Sequence, residues 1–116
     1  MRKETFVHEA ELRLDEGADD REPGAAVTVA LCGHWEHEGA CRWPHNNALD
    51  VESTPVRFRT VFVAEAADES EIRTRIANAL ASGPNWTLIS HHSRRATADE
   101  NELGRRLRAS REGVTR

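Results

Sequence analysis

The sequence predicts an α+β fold: a four-stranded, mainly antiparallel sheet with two helices, in the order β-β-β-α-β-α and with ferredoxin-like layering. Three observations predict it. Residues 5–14, TFVHEAELRL, alternate between apolar and polar side chains, the period of a half-buried strand. Residues 68–82 place Ile72, Ile76, Ala79 and Leu80 at i, i+4, i+7 and i+8, the stripe of an amphipathic helix. A strand–helix–strand crossover after antiparallel neighbours leaves helices covering one sheet face. The layering is an analogy of architecture and carries no function.

In the first strand Phe6, His8, Ala10, Leu12 and Leu14 share one face, and Val7, Glu9, Glu11 and Arg13 share the other. DEGADDREPG (15–24) is a polar turn region rich in Gly and Pro punctuation. AAVTVALC (25–32) is apolar on both faces and reads as a central strand, paired with the first as a long-looped hairpin. Residues 33–55 show no period, and connections of that length inside a compact domain are unusual. VRFRTVFVAEA (56–66) is a third strand, with Phe58 and Phe62 on one face and Val61 and Val63 on the other.

The helix over 68–82 opens on Asp68 and Glu71, which resemble a capping box. It ends at Gly83 and Pro84. WTLISHHS (86–93) is the fourth strand. Thr97 with Glu100 forms a second capping box, followed by Leu103 and Leu107 one turn apart. Acids lie at the start of this helix and arginines at its end, as the macrodipole prefers. The whole makes a single domain over 1–109, with 110–116 as a frayed tail.

The chain has 116 residues, 38% of them hydrophobic, and only six aromatics. Its core is thin for its size, so burial of a sheet face in a homodimer is expected. Net charge is −4, which gives no global attraction to nucleic acid. Arg94, Arg95, Arg105, Arg106, Arg108 and Arg111 gather near the C-terminus. Nearby acids dilute that patch, and it reads as a solvated helix face complementary to an acidic partner, a second copy included. Fifteen of the sixteen basic residues are Arg, a bias that suggests GC-rich, bacterial coding.

No apolar run approaches the roughly 18 residues of a membrane span. The first residues lack the apolar core of a signal peptide. A cytoplasmic location is therefore expected, with Cys32 and Cys41 as thiols, a disulfide being the alternative in an oxidising compartment.

Chemistry concentrates in GHWEHEGACRWPHN (33–46). It holds three of six histidines, two of three tryptophans and one of two cysteines. Imidazole and thiolate are the ligands zinc takes, usually four in a tetrahedron. His34, His37, Cys41 and His45 are the candidate ligands; Cys32 reads as a small buried hydrophobe. The expected function is a small cytoplasmic metal- or small-ligand-binding module with its site on this loop and zinc as its cofactor. The ligand itself is not named by any motif.

The alternative is a structural or interaction domain in which Trp35, Trp43 and Pro44 pin the loop to the sheet and the histidines bond to backbone. A catalytic version would pair Cys41 with His37 or His45, or use Glu36 or Glu38 as base toward a metal-bound water. No phosphate loop, nucleophile elbow or zincin helix is present. The hairpin topology would place His8 near Cys32 and His34. His8 itself reads as a satisfied sheet histidine. His91 and His92 would lie ~15–20 Å from the loop at the usual strand rise, with at most one of them facing the helices.

Overall fold

The computed structural model describes residues 3–32 and 43–113. Its strands are β1 (Lys3–Leu14), β2 (His45–Asp50), β3 (Val56–Glu65) and β4 (Trp86–Arg94), and its helices α1 (Glu22–Cys32), α2 (Glu69–Ala81) and α3 (Ala98–Gly113). A single 3₁₀ turn, Ala66–Asp68, leads into α2. The sheet order is β2-β3-β1-β4, and every neighbouring pair is antiparallel. The α+β class and the four-stranded sheet are as expected. The described chain runs β-α-β-β-α-β-α, the split-βαβ arrangement of ferredoxin-like folds with one helix added.

The alternation along β1 is realised: Ala10 and Leu12 are buried against the helices with Phe58, Phe62, Ile72, Ile76 and Leu80. This core lies between the sheet and the pair α1 and α2, which pack on each other. The opposite face is not bare. There α3 packs against β1 and β3, and Val7, Val61 and Val63 are buried. A Cβ on Gly104 would collide with the Thr5 side chain, so glycine is what lets α3 approach β1 so closely. Helices therefore cover both faces, not one.

The largest correction concerns residues 25–32, which form the body of α1 rather than a strand. Apolar runs of eight residues are ambiguous between buried strand and buried helix. The decisive residues precede the run. Glu22 stands in the first turn, where an acid favours the dipole, and Pro23 follows it, tolerated there because the first-turn N–H groups have no helical partner. Pro23, Val27, Thr28 and Leu31 are the buried positions, a helical spacing.

The second correction is β2, which lies inside the stretch read as aperiodic. His45, Asn47 and Leu49 are half-buried, while Asn46, Ala48 and Asp50 are exposed. The alternation is present, but its inward positions are largely polar, and Asn and Asp are poor strand formers.

Together these changes relocate the loop. Because α1 carries the chain back along the sheet, β2 begins where β1 begins: His45 pairs with Phe62, which pairs with Phe6. Trp86, by contrast, pairs with Leu14 at the other end, so the start of β4 and the start of β2 lie at opposite ends of the sheet.

Cap chemistry divides in the same way. Thr97 and Glu100 form the capping box: the Thr97 N–H donates to Glu100 Oε1 at 2.9 Å and the Glu100 N–H to Thr97 Oγ1 at 3.2 Å. Asp68 makes no side-chain cap, because the 3₁₀ turn already precedes the helix there, and Glu71 pairs instead with Arg75. Cys32, expected as a thiol, is disulfide-bonded. The only other cysteine of the chain is Cys41.

Candidate functional site

Of the four expected metal ligands, His34, His37 and Cys41 lie outside the described residues. His45 opens β2. Its Nδ1 lies 3.0 Å from the Trp43 carbonyl and its Nε2 lies 3.1 Å from Thr28 Oγ1. A carbonyl only accepts, so Nδ1 carries the proton, and in the neutral ring Nε2 takes the Thr28 hydroxyl. Trp43 and Pro44 are buried, and the Arg75 guanidinium sits 5.2 Å over the Trp43 ring. Residues 43–45 are thus anchored to the core. Among the described residues no three His, Cys, Asp or Glu side chains converge on a common point.

A different site stands out in the geometry. One register row crosses the whole sheet: Asn47 on β2, Thr60 on β3, His8 on β1 and Ser93 on β4. On the helix-facing side this row is polar amid an otherwise apolar core. At one end Asn47 donates to the Gly24 carbonyl at 3.0 Å and accepts the Thr60 hydroxyl at 2.8 Å, so that end is satisfied beneath α1. At the other end stands His8, 3% exposed.

The His8 ring stacks on His91 with centroids 5.2 Å apart, and its Nε2 lies 3.1 Å from His91 Nδ1. Its Nδ1 lies 3.0 Å from Arg73 Nη1. That guanidinium also donates to the Val7 carbonyl at 2.8 Å and, through Nε, to Glu69 at 2.7 Å. It packs against the Phe62 and Phe6 rings at 5.4 and 6.0 Å, so Arg73 is held at several points. Burial first, and the Arg73 charge second, push the His8 pKa down to about 4. His8 is neutral at physiological pH.

These residues line an open cleft of about 580 Å³ between α2 and β4. Ser70, Thr74, Asn78 and Ser93 add polar groups to its walls. His92, next in sequence to His91, points to the opposite sheet face and bonds Glu9 at 3.1 Å, as alternation requires.

His8, expected near Cys32 and His34, has His91 and Arg73 as its partners, and His34 lies outside the described residues. Two signals in the sequence pointed here. His8 sits on the apolar face of its strand, where a histidine has to find a polar partner. A split-βαβ order places β1 beside β4, which brings His8 to His91.

On the other sheet face a second polar cluster has a structural role. Glu100 accepts two bonds from Arg94, at 2.7 and 2.8 Å, and lies 3.4 Å from Arg59. The Arg94 bonds hold the Glu100 pKa down at about 2. This cluster ties α3 to the sheet and consumes Arg94, one of the arginines of the basic C-terminal patch.

Compared with known protein families, curated proteins and solved structures, the chain matches none. The functional reading therefore rests on the geometry alone.

Proposed function

We propose that this protein is a small-ligand-binding module whose site is the cleft between α2 and β4. The observation that carries the reading is His8: a buried, neutral histidine bridging Arg73 and His91 at the wall of an open cleft. A fold seeking stability alone gains more from an apolar side chain at such a position, because a buried polar cluster repays its desolvation only when every member is bonded. Binding sites commonly combine a pre-formed cavity with a few convergent polar groups and a perturbed titratable residue.

The test is a fragment titration followed by backbone amide spectra. Small polar molecules that bind should displace signals clustered on His8, Ser70, Arg73 and His91. Displacements clustered instead at residues 33–46, or none at all, would sink the reading.

A second reading keeps zinc on the loop, through His34, His37, Cys41 and His45. One observation favours it: a metal-bound imidazole usually donates its other N–H to a carbonyl or carboxylate, as His45 Nδ1 does to Trp43. Against it, Thr28 already occupies Nε2. Elemental analysis of untagged protein separates the two outcomes. Stoichiometric zinc that survives dialysis and is lost from His34→Ala/His37→Ala supports the metal site. Metal-free protein with melting unchanged by chelator supports a loop that is only packed, the structural or interaction alternative.

The same preparation bears on location: two free thiols would support the cytoplasm, and none an oxidising compartment.

A further inference from the structure

The hydrogen bonds around His8 fix more than a contact, because one partner has no choice of role. A guanidinium carries only donors. Arg73 Nη1 therefore donates to His8 Nδ1, which must be bare. The single proton of the neutral ring is then on Nε2, which donates to His91 Nδ1. His91 Nδ1 must be bare in turn, so the His91 proton lies on Nε2, on the far side of its ring. The relay starts at Arg73 and ends as an outward hydrogen-bond donor on His91, which is exposed along the cleft.

Arg73 Nε is taken by Glu69, and Nη1 by Val7 and His8. Its Nη2 has no acceptor among the described residues. Among the described residues Glu69 is the only carboxylate lining the cleft, and it is paired with Arg73. The His8 ring offers a metal cation no lone pair: Nδ1 faces a guanidinium, and Nε2 carries a proton.

We infer that the ligand of this cleft bears an oxyanion, a carboxylate or a phosphate, seated on Arg73 and the His91 Nε2–H. The inference rests on the cleft being the binding site and adds the ligand's chemistry. A bonded, ring-packed guanidinium loses little freedom on meeting an oxyanion, and charge-assisted bonds to carboxylate or phosphate are the strong ones.

The experiment uses the full chain with labelled histidine, titrated at constant ionic strength with sodium phosphate, sodium acetate, acetamide or sodium chloride. Imidazole nitrogen spectra should first show bare Nδ1 and protonated Nε2 on both His8 and His91; the reverse tautomers would overturn the relay. Phosphate, acetate or both should then give saturable displacement of the His91 signals, and which of them saturates identifies the source of the oxyanion. Arg73→Gln should abolish saturation. His91→Phe, which keeps a ring stacked against His8 but removes the outward donor, should weaken it about tenfold, the scale of one charge-assisted bond. Saturation by acetamide but by neither anion would overturn the ligand class while leaving the cleft as a binding site. Displacements no different from those with chloride, together with no saturation by acetamide, would overturn both.

Discussion

His8 sets the acid sensitivity of the protein at the scale of one side chain. Its partners on every side disfavour a charge: burial, Arg73, His91 and His92 all lower its pKa, to about 4 from an ordinary value near 6.5. The unfolded chain therefore binds a proton at His8 that the folded chain refuses, over the window between those values. Stability contributed by the neutral ring is complete above pH 6.5 and is lost as pH falls toward 4. The loss is roughly 3 kcal/mol at most, at 1.36 kcal/mol for each pKa unit. Glu100 extends the decline. Its folded pKa lies at about 2, against an ordinary value of 4.5, so its contribution fades as pH falls from the upper value to the lower. Urea midpoints measured between pH 4 and 7 should rise with pH in the wild type, and His8→Gln should flatten the slope above pH 4.5 while leaving the lower window intact. An unchanged slope in that variant would remove His8 from the account.

At the scale of elements, what was legible in the sequence followed from whether side-chain period and burial agreed. The first strand, the third strand and the helix after residue 68 all read correctly, because their apolar residues sit where the core is: Ala10, Phe58, Ile72 and Leu80 are all buried. The Thr97–Glu100 box was legible because its chemistry is local, two reciprocal bonds within four residues. The fourth strand and the last helix also stand where expected, whereas α1 and β2 failed for separate reasons. Val27 and Leu31 are consistent with either a strand or a helix, and the turn residues Glu22 and Pro23 had been assigned to a loop. In β2 the inward side chains are His45 and Asn47, held by Thr28, Gly24 and Thr60, so its alternation is polar against polar and leaves no hydropathy signal. The candidate site was lost with them. With a strand at 25–32, His8 had to face the rich loop; with a helix there, β1 becomes the strand next to β4, and His8 meets His91. Composition drew attention to where rare residues cluster in sequence, whereas the cleft gathers common residues from three distant segments.

At the scale of the whole molecule, the open question is what meets the edges of the sheet. The β2 edge is six residues long and shows Asn46, Ala48 and Asp50 to solvent. The β4 edge is nine residues long, exposed along Thr87 and Ile89–Ser93, with Ile89 47% exposed. Long open edges invite pairing, and a register shift opposite Glu11 and Leu12 leaves Ile89 as an extra residue, a bulge of the kind that confines such pairing. A homodimer, expected on sequence grounds, would find its best surface on the half of β4 beyond the bulge, His91–Arg94. An antiparallel, two-fold pairing there would set His91 of each copy near Ser93 of the other. Both residues line the cleft, so association and ligand binding would share one wall and each would shift the other. Sedimentation of the wild type should then show a concentration-dependent dimer. Ile89→Lys, which places a charge at the bulge flanking the pairing half, should sediment as a monomer with stability within about 0.5 kcal/mol of the wild type, as exposed substitutions usually are. The oxyanion that saturates the cleft should move the wild-type equilibrium and leave the variant unmoved. A wild type that stays monomeric at all concentrations, or a lysine variant that still pairs, would place any partner surface elsewhere and leave the cleft to work within one chain.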